Sequence, residues 1–286
     1  MSTKQLFDAP GPKARQRHRL FEVLSIAVIA VGLYEAYKTL EVHGEFSQAA
    51  WKPFTQPGLW VLLGQGLLNN LQAAAVGMAL SMLFGSLLAF GLLSRRAPLR
   101  VACRIFTDVF ASVPLLLLLY FTSLVLPTYG LKLPDFWFLV IALTLFSSAV
   151  IADLLRSGIK AIPYGQTEAA EALGFSGFRT MQLVLMPQAL RSMSPALVSQ
   201  MVILFKGTAL AYVLGGYIEL LRSATVIGTY YSRSLLQAQI VAAIGFMLVN
   251  VALGLLATWL GRRQRLQNVT KPALESLEMP AELSTR

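Results

Sequence analysis

The chain has 286 residues and holds one cysteine, Cys103, and two histidines, His18 and His43. One cysteine excludes an internal disulfide, and two distant histidines beside a single thiol supply no zinc set. Charged residues make up 13% of the chain, about half the share usual in soluble domains. No G-x-x-x-x-G-K-[ST], H-E-x-x-H or G-x-S-x-G motif occurs. The chain thus carries no recognisable catalytic or nucleotide-binding site of its own.

What is present is apolar. Hydrophobic residues reach 56% without counting the 21 glycines, and mean hydropathy is +0.62. A water-soluble domain of this size needs more polar surface. Disorder is excluded over most of the length, because low hydrophobicity is its signature. Long apolar runs, rather than alternating segments of about 10 residues, exclude a membrane β-barrel. The remaining class is an all-α polytopic membrane protein.

A span needs about 20 mostly apolar residues. No Asp, Glu, Lys or Arg occurs between Lys52 and Arg95. That gap is too long for one crossing, so Pro57 and Gly58 suggest an interfacial helix over Leu59–Leu68 before a span over Leu71–Leu93. Asp108 to Lys132 encloses the next span, ended by Pro127, and Asp135 to Asp153 a shorter one reaching Leu155. Pro195–Glu219 is apolar around Lys206, and the final span has its core at Gln239–Leu260. The first run, Val23–Tyr34, is the weakest; it reads as an uncleaved helix, with a signal peptide or an interfacial helix as alternatives.

This makes six helices. Seventeen Lys and Arg residues fall on one side and five on the other, which puts both termini in the cytoplasm. The net charge of +10 is therefore mainly a topology signal, not a nucleic-acid footprint. The expected divisions are a basic N-terminus over 1–19, an extra N-terminal helix and external loop over 20–57, a transmembrane domain over 58–262 and a cytoplasmic tail over 263–286. The tail, with Pro272, Pro280 and Glu282, reads as a mobile polar end.

Ala73, Gly77, Ser81, Gly85 and Ala89 recur every four residues. Such a stripe lets helices approach closely in lipid, either within one subunit or at a seam between subunits. Lys206 is the main intramembrane oddity. A central lysine costs about 2.5–3.5 kcal/mol on insertion scales. Gly207, Thr208 and then Gly215–Gly216 suggest that its helix is kinked or broken. Lys206 either pairs structurally or lines a path. Asp108, Asp153 and Arg156 lie near cytoplasmic helix ends, where ion pairing is the default and gating the alternative.

The segment 156–194 between the fourth and fifth spans is the most informative. Pro163 and Gly165 break the preceding helix, Glu168–Leu173 favours a short helix, and Gly174 suits a left-handed cap. Here the chain resembles the permease subunits of ABC importers, whose signature is E-A-A-x3-G-x9-I-x-L-P. Glu168, Ala169, Ala170, Gly174 and Pro187 match in identity and spacing, with Val184 for Ile and Met186 for Leu. The stretches Arg156–Gln166, Pro187–Arg191 and Lys206–Leu210 are similar to those of the polar amino-acid permeases. Gly207 stands where that family usually has Asp and Ala209 where it often has Ser; Phe110–Pro114 lacks the family's Arg.

The resemblance covers about Gly58–Leu260. It implies a five-helix type I ABC permease core plus one N-terminal helix, in a bacterial inner membrane. It implies that Glu168–Gly174 is a coupling helix seated in a cytoplasmic ATPase dimer. ATP and Mg would bind that ATPase, so this chain needs no cofactor and is not an enzyme. A second permease chain, identical or different, and a periplasmic or tethered binding protein would complete the importer. The path would pass a polar amino acid, with Lys206, Thr208 and Arg156 as candidate lining residues. Alternatives are an ABC permease for another small solute, or a secondary transporter.

Overall fold

The computed structural model describes residues 11–278. Lys4 of the basic N-terminus and the tail positions Pro280 and Glu282 lie outside them. Among the described residues the elements are helical throughout. The first, α1, covers Pro12–Val42, longer than the apolar run at its centre. Its spanning part, Gln16–Val42, is unburied by the rest of the chain. An apolar helix with bare flanks is stable in hydrocarbon, where all its backbone bonds are internal.

The second helix, α2, runs unbroken over Pro57–Leu92. This corrects the expectation of an interfacial helix over Leu59–Leu68 followed by a separate span. Pro57 stands in the first turn, where its missing N–H costs nothing, so it starts the helix rather than breaking it. At 1.5 Å per residue α2 is about 54 Å long, well beyond the hydrocarbon thickness of about 30 Å.

The third crossing is also not a simple span. Helix α3, Ala97–Ser112, and the stretch Leu115–Tyr129, which begins with α4 (Leu115–Tyr120), meet at 102°. Pro114 causes the break: it holds Val113 extended, at φ −76° and ψ 128°. Among the described residues five helices are long and apolar enough to cross a membrane, or six where this bent pair counts as one span.

Helix α5, Asp135–Lys160, is the central pillar, with two thirds of its apolar window buried. Two short helices follow: α6, Gly165–Ala172, and α7, Met186–Ser192. Then come α8 (Ser194–Gly207), continued by a 3-10 stretch over Thr208–Leu214, and α9, Leu220–Tyr230. The last helix, α10, runs over Leu235–Glu278. It passes the expected boundary near residue 262, so the first part of the presumed mobile tail is helical.

The small-residue stripe packs within the subunit. Gly77, Ser81 and Gly85 are buried. A Cβ added at Gly85 would lie 2.7 Å from Ile151 Cγ2, and one at Gly77 would lie 3.5 Å from Leu143 and Leu204. Close approach of α2 to α5 builds the core in three tiers. Leu59, Leu63, Leu220 and Ala224 fill one end, and Ala73, Leu139, Leu143 and Phe205 the middle. Ala89, Ile151, Leu155 and Met186 fill the end that carries the arginines.

Candidate coupling helix and intramembrane site

Helix α6 stands on the basic end of the bundle. Its C-terminus closes as a Schellman turn: Gly174 takes φ +80°, its N–H donates to Glu171 O (2.9 Å), and Phe175 N donates to Ala170 O (3.1 Å). A residue with a Cβ is strained there, which explains the glycine. Ala170, 4% exposed, faces the bundle. Glu168, Ala169 and Gly174 face outward, with Tyr164 and Leu173 exposed alongside. Two polar links hold the helix: Gln188 Nε2 donates to Gln166 Oε1 (3.2 Å), and Glu171 lies 4.0 Å from Arg95. Pro187 is exposed in the first turn of α7. The result is a short, closed helix offering an acidic and apolar surface that no described residue covers.

Arg156 belongs to a charge chain. It lies 3.6 Å from Asp153, which also receives Arg104 at 3.3 Å; Arg104 in turn reaches Asp108 at 3.2 Å. The chain ties α3 to α5 at their basic ends. Sequence reasoning named three of these four residues and missed Arg104, the link.

Lys206 lies in the last turn of α8, about 18 Å along the helix from Ser194. It is exposed on the chain's own surface, and no acid lies within 4.0 Å of it among the described residues. Gly207 beside it is a packing position. A Cβ there would lie 2.7 Å from Leu115 Cδ2 and 3.1 Å from Leu143 Cδ2, so a larger residue needs those two side chains to shift. Thr208 is fully buried. Its hydroxyl donates to Phe205 O (2.7 Å) and accepts from Asn70 Nδ2 (2.8 Å), so here it joins helices rather than lining open space.

That bond opens a network the sequence reading missed. Asn70 Oδ1 accepts from Leu220 N (2.9 Å), Asn69 donates to Ile218 O (2.7 Å), and Tyr217 donates to Asn69 O (2.8 Å). Glu219 caps α9, accepting from Leu221 N (2.8 Å) and Arg222 N (2.5 Å). Burial pushes the Glu219 carboxyl above its ordinary range, although the two N–H groups, Asn70 and Arg222 oppose the shift. Tyr217 is pushed up to about 12 by burial and then by the Glu219 charge. Both residues lie in the stretch between the spans Ser194–Leu214 and Leu235–Gly261. Two adjacent asparagines inside an uncharged apolar run were the available signal.

Relatives share this architecture. The chain is 35% identical over 230 residues to the glutamate transport system permease protein GluD of Corynebacterium glutamicum, covering 79% of this chain and 84% of that one. It is 32% identical over 217 residues to the glutamate/aspartate import permease protein GltK of Escherichia coli, covering 72% and 95%. A crystal structure of an amino acid ABC transporter with histidines superposes with a TM-score of 0.64 at 28% identity, over 71% of this chain and 94% of that one. Residues 81–266 match the family described as binding-protein-dependent transport system inner membrane component, and the chain belongs to that family.

Proposed function

We propose that this chain is the membrane-spanning permease subunit of an ATP-driven importer for a polar amino acid. The observation that carries this reading is α6: the E-A-A-x3-G segment forms a closed, uncovered helix between two spans. Its exposed Glu168 and Leu173 suit the groove of an ABC ATPase. ATP and Mg belong to that ATPase, and this chain supplies the path and the lever. Two permease chains, identical or different, complete the path with two ATPases, and a periplasmic or tethered binding protein delivers the amino acid. Both termini face the cytoplasm, because Arg95, Arg96, Arg100, Arg104, Arg156 and Arg191 fall in the segments read as lying on that side.

Lys206 is the cation suited to the α-carboxylate of the passing substrate, since no acidic side chain among the described residues neutralises it. The permease names of the relatives support an amino acid as cargo. Purification from native membranes in mild detergent, followed by mass spectrometry, tests the assembly. An ATPase and a second permease chain are expected to copurify. Recovery of this chain alone, active without ATP, points instead to a secondary transporter.

A further inference from the structure

Two adjoining cavities open along α2 and α3, the first closed by α5 and the second by α6 and the segment 177–185. One, about 560 Å³, is walled by Leu80, Phe84, Leu87, Phe106, Trp137 and Ile141. The other, about 650 Å³, lies at the basic end and is walled by Phe90, Arg95, Leu99, Glu171, Phe178 and Thr180. Leu87 and Cys103 line both, so the two form one trough.

The trough is not on the Lys206 side. Along α5, Ile141, Leu145 and Ser148 line it, while Leu143 packs on Gly207 and Ser147 meets Gln200 of α8. Val140 and Thr144 line it as well, and at about 100° per residue the two sets average roughly 110° apart around the helix. The apolar wall offers nothing to a zwitterionic amino acid but suits a hydrocarbon chain.

Thr144 and Ser148 are the polar side chains of the first cavity, and charge enters at the basic end. Arg95 has a side chain 96% exposed, and Arg100 stands nearby, its Nη1 donating to Ser94 O (3.1 Å). Thr180, 1% exposed, lines the same cavity, and its hydroxyl has no hydrogen-bond partner among the described residues. An unpaired buried hydroxyl calls for an acceptor oxygen. From Leu80 to its end at Leu92, α2 rises about 18 Å, a little more than the hydrocarbon depth of one leaflet, and Arg95 follows just beyond that end.

We propose that this trough binds an anionic phospholipid from the leaflet on the basic side. The phosphate sits against Arg95 and Arg100, an ester or phosphate oxygen accepts from Thr180, and an acyl chain lies along Leu87, Phe84 and Leu80. Cationic side chains at a membrane surface select for negative lipid, and an apolar trough alone does not. Arg95 is also the partner of Glu171 on α6, through a pair too exposed to hold it firmly. A bound phosphate therefore competes for Arg95 next to α6; that consequence rests on the transport reading, whereas binding itself does not.

Native mass spectrometry of the purified complex, exposed to phosphatidylglycerol or to phosphatidylcholine of the same chains, tests the site. The glycerol lipid is expected to be retained about thirty-fold more tightly, the discrimination two arginines give. Arg95→Gln with Arg100→Gln should remove that preference, and Leu87→Trp should remove retention of both lipids. Arg95 is so exposed that its variant keeps the fold. Equal retention of the two lipids, or unchanged preference in the arginine variant, overturns the proposal. So does a disulfide between two chains through Phe84→Cys with Cys103→Ser, which would make this face a subunit seam.

Discussion

The Asn70 side-chain amide donates to the Thr208 hydroxyl over 2.8 Å, across 138 residues of sequence and with both side chains fully buried. The same Asn70 holds the first turn of α9 through Leu220 N. One side chain therefore fixes α2 against the 3-10 stretch that follows Lys206 and against the helix after it.

Asn70→Leu leaves Leu220 N without its acceptor. Each unpaired buried group costs about 1–3 kcal/mol, and polar pairs in membranes fall toward the low end. Thermal melting of the purified protein in detergent is expected to shift downward. An unchanged melting temperature would mean that the network does not hold these helices.

Two glycines of α2 should respond oppositely to alanine. At Gly85 the new Cβ meets Ile151 at 2.7 Å and the Ser148 carbonyl oxygen at 3.0 Å, so α2 and α5 must separate, costing about 1–3 kcal/mol. At Gly64 nothing lies within 4 Å, and alanine should gain up to about 1 kcal/mol from helix propensity. Equal melting temperatures for the two variants would contradict the packed stripe.

Glu219 gives a pH dependence of definite sign. Its folded-state affinity for a proton is raised, so the folded state binds more protons than the unfolded one between the two values. Stability contributed by this residue is therefore greatest at low pH and declines as pH rises above the ordinary carboxylate range. Glu219→Gln should flatten that part of the profile while keeping one capping bond. Melting curves at several pH values, wild type against variant, would show the same slope if burial did not dominate.

Lys206→Ala should impair transport more than assembly. The side chain is exposed and has no acidic partner among the described residues, so removing it leaves no orphaned charge. A loss of the assembled complex on size exclusion would assign it a structural role instead.

Much of this was legible in the residues. The spacing from Glu168 to Pro187 located a surface helix, and Gly174 announced its left-handed end. The four-residue stripe identified the face of α2 that meets α5. Other features were hidden for physical reasons. Pro57 reads as a breaker in a linear scan, but it is harmless in a first turn. Pro114 bends its crossing because no helix register can satisfy it, yet hydropathy runs straight through it. Gly207 looked like a lost polar residue, and only the positions of Leu115 and Leu143 show that it is a contact. The pairing of Asn70 with Thr208 and of Arg104 with Asp153 depends on tertiary placement that no local pattern encodes.

The central claim is that α6 couples this path to ATP hydrolysis on another chain. Glu168→Lys reverses a charge on its uncovered face, and an unpaired like charge at an interface costs several kcal/mol. The direct measurement is uptake of a labelled amino acid into proteoliposomes holding the copurified complex, its binding protein outside and ATP inside. Uptake that requires ATP in the wild type, and is lost in the variant although the variant still inserts, is the result predicted. ATP-independent uptake by this chain alone, or normal ATP-driven uptake by Glu168→Lys, would contradict it.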